Sequence, residues 1–246
     1  MIPKIIHYCW FGTKSIPQSV SDCIDSWRKH HPDYELMLWN ESNIDIEGCA
    51  YAIEAKEAQK WAFLSDYVRI DKLNEYGGIY FDTDVEVVKS LDPLRSNSAF
   101  IGFESPQYLG TCVIGATANH PMLKLILQGY KAKHFKLEDG KFDYTTNVNF
   151  ITNMLIKHYK LVPNGLYQNL ADGLHVLPSV YFSPISFQTG LCNETCDTYS
   201  IHHFSGSWLD PETKRLFAVK QLINRIFGIK LGKLVYKIYR MIAMPS

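Results

Sequence analysis

The stretch "YGGIYFDTDVEVV" (residues 76–88) decides the fold. Its apolar run predicts a buried strand, and the two glycines before that run indicate the end of a helix. Asp82 and Asp84 follow the strand at once, and two carboxylates so close together repel each other. A divalent cation would relieve this repulsion, but a solvated turn between two strands would also accommodate both aspartates.

Strands and helices alternate through the first half of the chain. Short apolar runs at 4–10 and 34–39 predict strands, whereas 19–32 and 50–76 have the apolar spacing of helices. This alternation predicts an α/β fold with a mostly parallel central sheet. Ligands of such sheets bind at the carboxyl ends of the strands, where the two aspartates are expected.

Composition narrows the class of protein. The chain has 246 residues, 46% of them hydrophobic and 20% charged, as in ordinary globular domains. No apolar run reaches the length of a membrane span or a secretion signal, so we expect a cytoplasmic protein with reduced cysteines. Residues 1–213 contain 17 basic and 25 acidic residues, a formal charge of −8 that argues against binding to nucleic acid.

Polar residues elsewhere in the chain are further candidates for a site that contains Asp82 and Asp84. Asp66 and Arg69 are three residues apart on one face of a mostly apolar helix, which suggests that they point into a site. Near the other end, "SIHHFSGSW" (200–208) offers two histidines in a predicted strand. Because successive strand residues face opposite sides, only one of His202 and His203 can face a given site.

Three separated blocks resemble the DXD-containing sugar-binding family of glycosyltransferases. They are "IPKIIHYCWFG" continued by "SWRKHHPDYELMLWNESN", then "FLSDYVRIDKLNEYGGIYFDTDVEVVKSLD", and finally "IHHFSGSW". Relatives of that family include yeast α-1,6-mannosyltransferases, bacterial capsule and lipopolysaccharide enzymes and, more distantly, the clostridial glucosylating toxins. The blocks bracket residues 2–208, so the resemblance covers most of the chain.

The resemblance implies a nucleotide-binding domain of GT-A type over residues 1–212, a UDP-sugar donor, Mn²⁺ or Mg²⁺, and retention of anomeric configuration. The positions that it implies for donor binding are Trp10, Asn43, Ser65, Asp66, Arg69, Tyr80, Asp82, Ser207 and Trp208. The implied metal ligands are Asp82, Asp84 and His203, with His203 preferred to His202 from its spacing to Gly206 and Trp208. The implied catalytic residues are Asp66, Arg69 and Asp84.

These expectations describe a retaining enzyme that moves a hexose or N-acetylhexosamine onto a bacterial surface glycan, such as a capsule or lipopolysaccharide. A carboxylate nucleophile and attack from the face of departure both remain open, with Glu104 and Asn147 as acceptor-side or sugar-side groups. A non-catalytic nucleotide-sugar-binding protein is one alternative. A phosphatase of the haloacid-dehalogenase type is another, although its D-x-D motif normally opens the domain and here 81 residues precede Asp82.

Residues 213–246 form a segment of different character. From Lys214 onward there are eight basic residues and no acidic residue. Apolar residues at helical spacing, among them Leu216, Val219, Leu222, Ile223, Ile226 and Phe227, predict an amphipathic helix. Such a helix can lie on an anionic membrane at the inner face of the cell, or it can pack on the protein's own body or on a second subunit.

Overall fold

The computed structural model describes residues 1–206 and 211–243. The strands are β1 (Ile5–Cys9), β2 (Glu35–Trp39), β3 (Gly78–Phe81), β4 (Val85–Val87), β5 (Ala99–Ser105), β6 (Tyr108–Ala116), β7 (Gln168–Asn169), β8 (Leu174–Leu177) and β9 (Ser200–His202). The α-helices are α1 (Gln18–His30), α2 (Ala50–Glu57), α3 (Trp61–Tyr76), α4 (Pro121–Lys131), α5 (Asn147–Tyr159) and α6 (Pro211–Ala243). Short 3₁₀ turns lie at Asp92–Ser96, Ala171–Gly173 and Ser179–Tyr181.

Seven strands form one mixed sheet in the order β2-β1-β3-β6-β5-β8-β7. β1, β2, β3, β5 and β8 run in one direction, and β6 and β7 run against them. The predicted α/β class and the mostly parallel strand direction are therefore confirmed. The carboxyl ends of the five strands lie along one edge, where open α/β sheets bind their ligands.

Alternate residues of β3 enter two separate cores. Ile79 and Phe81 pack with α1 on one face of the sheet. Tyr80 joins the core that α2, α3, α4 and α5 form on the other face. Trp27 of α1 has no exposed surface and donates its indole N–H to the Val85 carbonyl at 2.7 Å, which fixes β4 close to the end of β3.

Two glycines make the direct passage from α3 into β3 possible. Gly77 and Gly78 have φ values of 67° and 113°, which side chains rarely permit. A Cβ on Gly78 would come within 2.7 Å of the Ile5 carbonyl oxygen, and one on Gly77 would come equally close to the Ala118 nitrogen. Without a connecting loop, the position of Asp82 relative to α3 is tightly fixed.

A second, two-stranded sheet pairs β4 with β9 in antiparallel fashion. Val85 lies opposite His202 in this pairing. The pairing brings residues more than 110 positions apart in the chain next to the acidic pair. A late segment of the sequence thereby reaches the same edge of the main sheet as Asp82 and Asp84.

The C-terminal segment is a helical hairpin. α6 bends sharply at Gly228, where φ is 72° and ψ is 161°. Beyond the bend the chain returns: Gly232 packs against Asn224, and the Lys220 ammonium lies 5.9 Å from the ring centroid of Tyr236. The structure thus corrects the prediction of one continuous amphipathic helix. None of the helices in the described residues is long and apolar enough to cross a membrane.

Candidate active site

Arg69 joins two carboxylates that come from different elements. Its Nη2 lies 2.8 Å from Oδ1 of Asp66, one helical turn earlier on α3. Its Nη1 lies 3.1 Å from Oδ1 of Asp82, directly after β3. The arginine side chain is only 5% exposed. Burial opposes the charge, but Asp82 and the other anionic groups around it raise the pKa of Arg69 well above its ordinary value.

Asn147 and Thr111 make further hydrogen bonds to the Asp66–Arg69 ion pair. Asn147, the first residue of α5, donates its side-chain N–H to Asp66 Oδ1 at 2.5 Å and to the Thr111 hydroxyl at 2.7 Å. Arg69 donates to the Thr111 carbonyl at 2.9 Å. Within the described part of the chain, the donors to Asp66 all reach Oδ1, so Oδ2 remains available as an acceptor. Burial raises the pKa of Asp66 to about 7, and the charge of Arg69 opposes that rise.

Asp82 is the more accessible carboxylate, with 26% of its side chain exposed. The Tyr80 hydroxyl donates to its Oδ1 at 3.0 Å, and the Arg69 guanidinium lies 4.7 Å from the Tyr80 ring centroid. The Ser65 hydroxyl accepts from Arg69 at 3.3 Å. Five of the residues expected in the donor site are therefore in one cluster, held by Arg69.

Asp84 faces β9 rather than Arg69. Its Oδ1 lies 3.3 Å from His202 Nε2, and its Oδ2 accepts from the Ser205 amide at 2.9 Å and the Ser205 hydroxyl at 3.0 Å. Burial opposes ionisation, but His202 and Ser205 hold the pKa of the Asp84 carboxyl below its ordinary value. Asp84 follows Asp82 by two residues in the chain but has partners of its own.

The histidine beside Asp84 is His202, not the expected His203. The Nε2 atom of His203 instead lies 3.0 Å from Oε2 of Glu86, and both of these side chains are more than 40% exposed. Asp84 lies in the turn before β4, so its carboxylate does not follow the alternation of the strand. The main chain of His203 still contacts Asp84, whose carbonyl accepts from the His203 amide at 3.0 Å.

Glu104 lies at the carboxyl end of β5, where the register with β6 shifts. A Cβ on Gly110 would come within 3.1 Å of the Glu104 Cβ, so the glycine allows the two strands to approach closely at this point. In residues 1–206 and 211–243, no hydrogen-bond donor or cation pairs with this carboxyl group. Burial raises its pKa to about 7, His202 opposes the rise and Asp82 adds to it.

Trp10 and Asn43 follow β1 and β2 at the same edge of the sheet. Trp10 donates its indole N–H to the Lys14 carbonyl at 2.8 Å. The Asn43 amide donates to the Leu38 carbonyl at 2.8 Å and accepts from the Asn40 amide, which closes a turn. Their location agrees with a place near the base of a nucleotide, but their contacts to a donor remain predictions. The other two expected donor residues, Ser207 and Trp208, lie outside the described residues.

A divalent cation fits the donor chemistry of this edge. Asp82 and Asp84 offer carboxylate oxygens and His202 offers an imidazole nitrogen, a set that suits Mn²⁺. Among the described residues, no group of three such side chains already has the arrangement of a metal site.

Sequence reasoning did not identify Thr111 or Ser205. A threonine in a β-strand is ordinary, so Thr111 carried no signal. Ser205 lies within "IHHFSGSW", but only its contact with Asp84 distinguishes it from its neighbours. Asn147 was named, and the Thr146 N-cap that precedes it explains its position at the start of α5.

One part of the chain matches a family of known proteins. Residues 17–101 match the family model described as a glycosyltransferase sugar-binding region containing a DXD motif. Residues 17–101, about a third of the chain, are thus similar to this DXD-type sugar-binding region. The region includes α3, β3 and both aspartates, whereas Glu104, Asn147 and His202 lie beyond it.

The relatives of this sugar-binding region include fungal proteins. Inositol phosphoceramide mannosyltransferase 3 of Schizosaccharomyces pombe is 35% identical over 135 residues, which are 52% of this chain and 36% of that protein. Mannosyl phosphorylinositol ceramide synthase SUR1 of Saccharomyces cerevisiae is 30% identical over 135 residues, which are 53% of this chain and 35% of that protein. The chain thus spans about a third of each relative. Among solved structures, PaToxG glycosyltransferase is 22% identical, with a TM-score of 0.48 over 63% of this chain and 69% of that one.

Proposed function

We propose that this protein is a metal-dependent, retaining glycosyltransferase that moves a sugar from a nucleotide-sugar donor to a glycan or lipid-linked glycan. The contact of Arg69 with both Asp66 and Asp82 carries the proposal. Buried polar groups that only support the fold usually find hydrogen-bond partners inside the protein. Here Asp66 Oδ2 and the exposed part of Asp82 remain available to a ligand.

The donor sugar would lie against Asp66 and Asn147. Asp66 Oδ2 can accept hydrogen bonds from sugar hydroxyls, while Asn147 holds the other carboxylate oxygen in place. The N–H groups of Arg69 already have acceptors in Ser65, Asp82, Thr111 and Asp66, so its planar fork would act by fixing the two carboxylates in place. Because all three side chains are already fixed by one another, little orientational freedom is lost when the donor binds.

The diphosphate would lie on the side of Asp82, Asp84 and His202. When bound there, a divalent cation neutralises negative charge on the leaving phosphate oxygen. The Ser205 amide and hydroxyl donate to Asp84 Oδ2 and so orient the carboxylate that would bind the cation. Asp82 is oriented by Tyr80 and Arg69, so the two carboxylates are fixed independently.

Of the two retaining routes, we propose the one in which the acceptor hydroxyl attacks from the face on which the phosphate departs. The anomeric carbon–phosphate bond breaks, the bond to the acceptor oxygen forms, and the departing phosphate takes the acceptor proton. Glu104 lies close enough to Asp82 and His202 to affect, and be affected by, their charges. We assign it to the acceptor side, where its carboxyl group would orient the attacking hydroxyl.

The chemistry of the site and the names of the relatives suggest candidate substrates. A UDP-hexose or UDP-N-acetylhexosamine is the first candidate, and a bacterial surface glycan, capsular or lipopolysaccharide, is the first acceptor. The curated relatives are named for mannosyl transfer to inositol phosphoceramide, so a mannosyl donor and a lipid acceptor join the candidates. Each of these nucleotide-sugar donors would release a nucleoside diphosphate as its leaving group.

A panel of UDP- and GDP-sugars with Mn²⁺, monitored for release of free nucleotide, tests this function. We expect slow hydrolysis of one donor, and Asp66→Asn should lower its rate about a hundredfold or more. Asp71→Asn is the matched control, because Asp71 lies on the same helix and pairs with Lys72 instead. Tight uptake of a nucleotide sugar without any turnover would indicate a binding protein and contradict the proposal.

A further inference from the structure

The bend of the C-terminal hairpin is the most apolar exposed part of α6. Six large apolar side chains on the two sides of Gly228 are each between 40% and 64% exposed. They are Leu222, Ile226, Phe227, Ile229, Leu231 and Leu234. Leu216 and Val219, farther from Gly228 in the same helix, are less exposed. The apolar side chains expected from the sequence are thus most exposed near the bend.

The first half of the hairpin is attached to the enzyme body by polar contacts. Asn224 donates to the Gln188 carbonyl at 3.0 Å. Arg225 donates to the Thr189 carbonyl at 3.0 Å, and Gln221 donates to the Phe187 carbonyl at the same distance. These contacts hold the hairpin against the loop around residues 187–189. The exposed apolar side chains near the bend are therefore not explained by packing on the described part of this chain.

The charge of the C-terminal segment indicates which kind of partner would cover the apolar side chains at the bend. All eight charged residues from Lys214 onward are basic, and Lys230 and Lys237 are exposed close to it. A second copy docking bend to bend would bring like charges together, which costs free energy. An anionic lipid surface offers both partners at once, because it accepts apolar side chains at the acyl boundary and attracts lysines at the headgroups.

We propose that the six exposed apolar side chains at the bend of the hairpin insert into the surface of an anionic membrane. The apolar side chains would enter the boundary between headgroups and acyl chains, and Lys230 and Lys237 would remain at the phosphate level. This is a peripheral attachment at the membrane surface. It does not depend on the catalytic proposal.

Ring contacts connect the hairpin to the candidate active site. Phe217, in the first half of the hairpin, has its ring centroid 4.5 Å from that of Phe187. Phe187 lies 5.2 Å from Phe204, and Phe204 lies 4.0 Å from His202. In the part of the chain that the structure describes, these ring contacts link the hairpin to the histidine beside Asp84. Docking at the bend would therefore hold the candidate site near a lipid surface, where a lipid-linked acceptor is presented.

Sedimentation of the full chain with vesicles tests the proposal. We expect binding to vesicles made of equal parts phosphatidylcholine and phosphatidylglycerol at low salt, and little binding to phosphatidylcholine alone. Ile226→Ser with Phe227→Ser should weaken this binding at least tenfold. The matched control is Val162→Ser with Leu166→Ser, which removes two comparably exposed apolar side chains from the body and should leave binding unchanged.

A second pair of variants tests the charge. Lys230→Gln with Lys237→Gln should weaken binding to anionic vesicles about thirty-fold, whereas Lys29→Gln with Lys157→Gln should not. Salt at about 1 M, where the Debye length is about 3 Å, should have a similar effect to the first pair. Thermal unfolding of each variant establishes that it remains folded.

Three results would overturn the proposal. The first is a full chain that ignores anionic vesicles at low salt. The second is a body control that loses binding as much as the bend variant. The third is a wild-type dimer that becomes monomeric with the bend variant, which would make this surface a protein interface.

Discussion

Replacement of Arg69 by lysine is the most informative single change in the candidate site. Lysine keeps the positive charge, but its one ammonium cannot reproduce a planar fork. In the wild type that fork contacts Asp66 at 2.8 Å, Asp82 at 3.1 Å and the Thr111 carbonyl at 2.9 Å. Arg69→Lys therefore leaves at least one of the two carboxylates without its partner.

The size of the effect follows from those contacts. A hydrogen bond to a charged group contributes about 1.5 to 3 kcal/mol, and lysine can retain only part of the three. We expect a loss of about 3 to 4 kcal/mol of transition-state stabilisation, which is two to three powers of ten in kcat/KM. The loss should fall mainly on catalysis, since Asp66 and Asp82 are the groups that orient the donor.

Donor hydrolysis and thermal unfolding, measured together, separate this effect from general destabilisation. Arg95→Lys is the matched control, because Arg95 is 14% exposed, pairs with Asp92 and donates to the Ile2 carbonyl away from the site. Both variants should lose comparable stability, and Arg95→Lys should keep kcat/KM within about twofold. If Arg69→Lys hydrolyses the donor as fast as Arg95→Lys does, Arg69 does not organise the site.

Three further predictions follow from the same contacts. Trp10→Ala should weaken nucleotide binding by about 1 to 3 kcal/mol in calorimetry, and unchanged affinity would make Trp10 a packing residue. Activity should rise with pH through about 7 as Glu104 ionises near Asp82 and His202, and a profile unchanged by Glu104→Gln would exclude that role. His7 and His31 are buried with pKa values of about 4. Between pH 6.5 and pH 4, only the unfolded forms of these histidines take up protons, so the free energy of unfolding should fall as the pH falls. Denaturant titrations should show a loss of about 2 kcal/mol per histidine between pH 7 and pH 5. A flat profile would contradict this.

The sequence predicted the features that depend on local spacing. Asp66 and Arg69 share a helical face, and α3 passes directly into β3 through two glycines, so their approach to Asp82 follows from short-range geometry. The predicted helix over 50–76 was less accurate. It is divided into α2 and α3 near Gln59, whose positive φ of 54° interrupts the helix without a proline or glycine.

Features that depend on distant pairing could not be predicted in the same way. Asn147 reaches Asp66 across 81 positions, and no local pattern indicates that distance. His203 was preferred to His202 from its spacing to Gly206 and Trp208, but the long-range pairing of β4 with β9 places His202 beside Asp84. The hairpin depends on a backbone conformation at Gly228 that an apolar pattern does not specify, although a glycine within a helical pattern is a known site for a break.

Metal-dependent release of nucleotide tests the central claim most directly. With the donor identified from the panel, EDTA should abolish release and added Mn²⁺ should restore it. Asp84→Asn and His202→Ala should lower the rate at saturating Mn²⁺ about a hundredfold or more, because charge on the leaving phosphate is no longer stabilised. Glu86→Gln and His203→Ala, which change the exposed pair on the other side of the strand, should stay within about threefold of wild type. Full activity in excess EDTA, or an Asp84→Asn enzyme as fast as Glu86→Gln, would contradict the account.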